Sequence, residues 1–144
     1  MDVKQMSVFM ENKPGKLNEF TKILQKHNIN MRALCLAEIS DYGVLRVIVD
    51  DTYELSQILR DEGYIFKATP VLAVEIIDEP GSLVKILDAL EAEKINVSYA
   101  YAFTAKTPGV AYIILRVDDN DAGGKALRKA GIRTLSQEDL EKIQ

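Results

Sequence analysis

The 144-residue chain has little of what most catalytic chemistry requires: one cysteine, one histidine and no tryptophan. A lone thiol, Cys35, can form no internal disulfide and no multi-thiolate metal site, which fits a reducing compartment. It lies among Leu34, Leu36 and Ala37, as a small buried apolar group would. His27, without a second histidine, builds no metal cluster, and its place near the end of an amphipathic segment suits a helix-capping role. Lysines and arginines number 18 against 22 acidic residues, giving a formal net charge of -4. They are scattered along the chain, so no basic patch is offered to nucleic acid or to anionic lipid. No apolar run approaches membrane-spanning length, and the opening MDVKQMSVF lacks the apolar core and cleavage site of a signal peptide. The expectation is a cytoplasmic protein with no membrane partner, no nucleic-acid partner and no cofactor.

What the chain does have is a repeat. Pro14, Gly15 and Leu17 recur as Pro80, Gly81 and Leu83. Leu24, Ile29, Asn30, Gly43 and Val44 recur as Leu90, Ile95, Asn96, Gly109 and Val110 at the same offset. Asp51, Leu59 and Gly63 then recur as Asp119, Leu127 and Gly131 at an offset two residues wider. The chain is a duplication, with an expected first unit over 1–69 and a second over 70–144, meeting where Pro70 interrupts the strand pattern. Halves of this size are small for independent domains.

Within each half the periodicity reads β-α-β-β-α-β. Met6, Val8 and Met10, then Leu72, Val74 and Ile76, alternate as strands do. Leu17, Phe20, Ile23 and Leu24, and in the copy Leu83, Ile86, Leu87 and Leu90, fall three and four apart as one helical stripe. Met31 to Ile39 and Val97 to Ala105 are extended, a turn follows at Gly43 or at Pro108-Gly109, and the β-branched runs Val44 to Val49 and Val110 to Val117 return. Thr52 and Asp121 are placed to cap second helices that end at Gly63 and Gly131. Tyr64 to Lys67 and Arg133 to Leu135 close the halves, and Ser136 with Asp139 forms a capping box. The fold class is α+β: two ferredoxin-like βαββαβ units, each an antiparallel sheet with helices on one face.

The segments ENKPGKL and IDEPGSL occupy corresponding strand-to-helix junctions. Proline's fixed φ suits a first helical turn, and glycine removes the side chain that would screen the backbone. The first N–H groups of a helix have no internal acceptor and lie at the positive end of its dipole, so they attract a small anion such as a carboxylate. Asn12 adds a donor and an acceptor at the rim. A free α-amino acid, with one carboxylate and one ammonium, matches that pair of features. The plain alternative is that Asn12 and Asp78 are turn residues and Pro-Gly is punctuation.

The pattern N/D-x-P-G-x-L, then I-N at the start of the second strand, then a glycine turn, on a βαββαβ unit of this size, resembles the ACT domain family. Both halves match it. The resemblance implies a regulatory module that binds an amino acid and is not an enzyme. Ligands of the family lie between ACT units, held by the first strand-to-helix loop of one unit and the helix-end or second-strand segment of its neighbour. Carried over, this points to Asn12, Lys13, Pro14, Gly15, Lys16, Leu17 and Asn30 in the first half. In the second half it points to Asp78, Glu79, Pro80, Gly81, Ser82, Leu83 and Asn96. The stretch MENKPG with NIN is similar to the serine-binding ACT domain of phosphoglycerate dehydrogenase, with Met10 where that domain uses a histidine. Replacing Asn12 by Asp78, beside Glu79, adds negative charge near a ligand carboxylate, so the Asn12 site is expected to be the stronger.

Three functions are consistent with this pattern. The first is an amino-acid-binding regulator that modulates a metabolic enzyme partner; the second is the regulatory small subunit of an enzyme such as acetolactate synthase. The third is a small enzyme of the acylphosphatase type, which would need an arginine-bearing phosphate cradle where these loops carry Asn12-Lys13 and Asp78-Glu79. Asp50-Asp51 and Asp118-Asp119 suit solvated turns better than a metal site. Tyr99, Tyr101 and Phe103 alternate onto one sheet face, as core or partner contacts. Arg46, Ile48, Tyr112, Ile114 and Arg116 are expected on the face turned from the helices, too apolar for open solvent, which predicts a homodimer.

Overall fold

The computed structural model describes residues 2–103 and 106–143. Contacts divide the chain between Thr69 and Pro70, with Lys4–Thr69 forming one compact unit and Val3 grouped with the residues from Pro70 onward.

In the first unit, β1 (Val3–Glu11) leads into α1 (Lys16–Lys26), then the hairpin β2 (Met31–Ile39) and β3 (Tyr42–Val49), α2 (Thr52–Asp61) and the start of β4 (Ile65–Ile77). The strand order is β4-β1-β3-β2, so β2 is an edge. Register sets Val8 opposite Leu45 and Met6 opposite Val47. These four pack with Phe20 and Leu24 of α1 and Leu55 and Leu59 of α2. The second unit repeats the plan: the end of β4, α3 (Ser82–Ala92), β5 (Val97–Phe103), β6 (Val110–Val117), α4 (Asn120–Lys129) and β7 (Arg133–Leu135). Its order is β7-β4-β6-β5, with β5 at the edge, and its core joins Leu72, Val74, Leu115 and Val117 to Ile86, Leu90 and Leu127. A final helix, α5 (Gln137–Lys142), starts on the expected capping box, with Ser136 N–H donating to Asp139 Oδ2 at 2.8 Å and Asp139 N–H donating to Ser136 Oγ at 3.1 Å. The doubled βαββαβ pattern stands.

Several details differ from expectation. The caps of α2 and α4 are Asp51 and Asp119, not Thr52 and Asp121. Both hold extended backbone, and their carboxylates accept from Glu54 N–H at 2.9 Å and Ala122 N–H at 3.0 Å, a reach open only to the residue just outside the helix. Their neighbours are also engaged: Asp50 takes a two-pronged pair of hydrogen bonds from Arg32 at 2.8 and 2.7 Å, and Asp118 accepts from Asn96 N–H at 3.2 Å. The β2–β3 reversal falls at Ser40-Asp41, with Ser40 at φ 56, while Gly43 lies inside β3 opposite Met10 and Glu38. Pro70 does not break β4, since proline costs a strand only the hydrogen bond its N–H would give. Cys35 is half-buried, across from Arg46. Thr104 and Ala105, expected at the end of β5, lie outside the described residues.

The face turned from the helices is better covered than its alternation suggested. Ile48, Tyr112 and Ile114 are buried, and the Phe103 ring stacks on Tyr112 at 5.3 Å while Tyr99 stacks on Tyr101 at 6.5 Å. Exposed large apolar side chains remain at the end of that face, in Ile39 and Tyr42, and on the helix side, in Leu34 and Leu36 of β2 and Leu83, Val84 and Leu87 of α3.

Candidate functional site

Each strand-to-helix loop ends on a glycine in the left-handed region, Gly15 at φ 85 and Gly81 at φ 88. Each glycine is the N-cap, so Pro14 and Pro80 precede the helices instead of opening them, and the glycines serve the positive φ. A cap without a side chain leaves the helix start uncapped, and neither α1 nor α3 receives a side-chain hydrogen bond there. Lys16 N–H reaches Lys13 O at 3.3 Å and Ser82 N–H reaches Glu79 O at 3.3 Å. Among the described residues, the amides of Leu17 and Asn18, and of Leu83 and Val84, meet no protein acceptor. These are the N–H groups a carboxylate would engage.

Around the first loop, Asn12 ties two segments together. Its N–H donates to Asp41 O at 2.9 Å, and its Nδ2 donates to Glu38 Oε2 and to Ser40 O, both at 3.3 Å. With the amide nitrogen so committed, Oδ1 is left to accept. Glu11 holds Lys13 at 2.7 Å, and Lys16 Nζ sits 3.8 Å from Glu11 and 3.7 Å from Glu19. The hydrogen bond from Lys13 holds the Glu11 carboxyl below its ordinary range, and Glu11 in turn raises Lys13. A 70 Å³ cavity opens here, walled by Met10, Leu17, Leu36 and Gly43 and rimmed by Asn12, Lys16 and Glu38.

The second loop faces another way. Asp78 N–H is fixed to Gly109 O at 2.9 Å. The cavity beside this loop, 490 Å³, reaches toward Gly131 and Ile132 and away from the edge strand. Glu75, Glu79 and Asp88 line it against a single cation, Lys85, while Asp78 and Leu83 do not line it.

The structure thus brings Asn12, Lys13, Lys16 and Leu17 to one cavity, and Glu79, Pro80, Gly81 and Ser82 to another. Asn30 and Asn96 stand apart. Both are exposed and precede β2 and β5, at the far ends of α1 and α3, and an 11-residue helix is about 16 Å long. Within one unit neither touches the loop. Glu38 and Leu36 were not foreseen. The signal available was that Glu38 breaks, at the strand's end, the period-two set begun by Leu34 and Leu36. No cluster of three or more metal-ligating side chains occurs among the described residues.

Comparisons with known proteins agree on the architecture. A family profile described as an ACT domain pair matches residues 1–144. The crystal structure of protein BT0572 from Bacteroides thetaiotaomicron is similar over 99% of this chain and 98% of its own, at 37% identity and TM-score 0.91. The ligand-free regulatory subunit of aspartate kinase from Thermus thermophilus matches 90% of this chain and 92% of its own, at 15% identity and TM-score 0.63. Aspartate kinase from Clostridium acetobutylicum matches 90% of this chain over 33% of its own, at 13% identity and TM-score 0.58. At such identities the last two likenesses are of fold. No curated protein sequence matches. With two βαββαβ units, a glycine-capped helix start in each, and a family profile spanning the sequence, the chain belongs to the ACT domain family, as an ACT domain pair.

Proposed function

We propose that the protein is an amino-acid-binding regulator, not an enzyme, in which each contact unit is one ACT domain and a free amino acid binds against the strand-to-helix loops. The observation that supports this reading is that one cavity of the first unit is lined by Leu17, whose amide is open, and by Asn12 and Glu38. The amides suit the ligand carboxylate, and the two side-chain oxygens suit its ammonium. A second copy completes the site: β2 is an edge strand whose Leu34 and Leu36 are 45% and 49% exposed on the helix side. In that arrangement the neighbour supplies Asn30 from its own helix end. Binding shifts the balance between arrangements of the units, which is how it reaches a partner.

The Asn12 site is the stronger of the two, because Glu75, Glu79 and Asp88 around the second loop oppose a carboxylate. A thermal-shift screen against the common amino acids tests the reading. A ligand at a hundred times its Kd stabilises by roughly 2.7 kcal/mol, and Asn12→Ala is expected to abolish the shift while Asp78→Ala leaves most of it. Loss confined to Asp78→Ala reverses the assignment. Light scattering that finds only 16.1 kDa particles at micromolar concentration removes the second copy.

A separate regulatory subunit of a biosynthetic enzyme is the other reading. It is favoured by the extent of the match to the Thermus thermophilus regulatory subunit, which this chain parallels over nearly its whole length. Recovery of a stoichiometric catalytic chain by pull-down separates the two.

A further inference from the structure

We infer that the Asn12 site selects a short aliphatic side chain, in the size range of alanine and valine; this rests on the amino-acid reading above. The polar rim accounts for the ligand's own two charges. What remains is the wall formed by Met10, Leu17, Leu36 and Gly43. Met10 is buried, Leu17 packs against the core, and none of the four side chains offers a hydrogen-bonding nitrogen or oxygen.

The charges at the rim already have partners. Glu11 is paired with Lys13 and approached by Lys16, and Glu38 accepts from Asn12. The rim carries Glu11 and Glu38 beside Lys13 and Lys16, so a charged side chain of either sign meets a like charge there, and laying that charge on the apolar wall instead costs desolvation. Size limits what this chain's own part of the site can cover. The cavity of 70 Å³ is roughly half the ~150 Å³ of a dry apolar cavity that admits benzene, so it holds about three carbons. Gly43 helps to maintain this shape, since a Cβ there would come within 3.2 Å of Leu36 Cδ1 and shift that methyl by a few tenths of an ångström.

The test is calorimetric titration of the full chain with alanine, valine, leucine, phenylalanine, glutamate and lysine. Valine and alanine are expected to lead, with phenylalanine, glutamate and lysine at least tenfold weaker. Leu36→Ala, at a half-exposed position that folding tolerates, is expected to raise the leucine-to-valine affinity ratio by about fourfold, the worth of one accommodated methylene. A charged or aromatic amino acid binding tightest, or an unchanged ratio in Leu36→Ala, overturns the side-chain inference and leaves the amino-acid reading standing. Absence of binding by all six and by the remaining common amino acids overturns that reading itself, and the inference with it.

Discussion

The two units share a plan but fill one position differently. In the first, Tyr64 follows the glycine that ends α2 and sets its ring edge-on to Phe20 at 5.8 Å. In the second, the corresponding residues are Ile132 and Ile86, and the space beside Ile132 is part of a 490 Å³ cavity. The Tyr64 hydroxyl is pushed up in pKa by burial and by Glu19, whose counterpart is Lys85. Duplication therefore preserved the scaffold while the flank of each helix start diverged. The loop cavity of the first unit opens toward β2, and that of the second opens toward Gly131 and Ile132, where the first unit carries Gly63 and Tyr64. Two copies of one loop do not make two equal sites.

The largest expected break in this comparison is at the aromatic pair. Phe20→Ala removes a fully buried ring and its edge contact, with an expected cost of about 3–5 kcal/mol in urea unfolding. At the corresponding place the second unit has no ring to lose, and the smaller deletion Ile86→Val, of one methylene, is expected to cost only about 0.5–1.5 kcal/mol. Equal costs would mean that Phe20 is not the anchor of its unit.

Much of this architecture is legible in the sequence, and the residues show where legibility stops. Alternation and the three-to-four stripe identify which residues share a face, so the doubled βαββαβ unit and the helix-facing set of Leu45, Val47, Leu115 and Val117 follow from spacing. Spacing does not say whether the other face is covered, and Ile48 and Ile114 turned out buried. Caps depend on a single φ/ψ change at the helix entry, so Asp51 and Thr52 look alike until the backbone is seen. The loop half of the candidate site is local and readable. Its wall is not, because Met10, Gly43 and Glu38 become neighbours only through the β1–β3 and β2–β3 registers.

A second, smaller comparison concerns the capping glycines. No atom lies within 4 Å of a Cβ built at Gly15 or at Gly81, so only backbone strain opposes a side chain. Gly15→Ala and Gly81→Ala are each expected to cost about 1–2 kcal/mol, the penalty of the left-handed region, and to cost nearly the same. Thermal denaturation of both variants sharpens the point: a clear inequality would show that one loop relaxes to negative φ, and that its amides are not held where a ligand needs them.

The smallest expected effect distinguishes the edge strands. Arg32 grips Asp50 with two hydrogen bonds in the first unit, and the hydrogen bond from Arg32 holds the Asp50 carboxyl below its ordinary range. At the matching places the second unit has Ser98 and Asp118. A carboxylate whose pKa is lowered by folding contributes stability above its unfolded pKa, near 3.9, and that contribution fades as pH falls through the lower folded value. Asp50 is partly exposed, so the pair is expected to contribute no more than about 1 kcal/mol. Arg32→Ser, which copies the second unit, should therefore lower stability by that amount at pH 7, with the deficit shrinking below about pH 4 as Asp50 protonates. Urea midpoints for both chains across that range measure it. A deficit that persists undiminished in acid would show that Arg32 acts through its packing across β2, and not through the charge on Asp50.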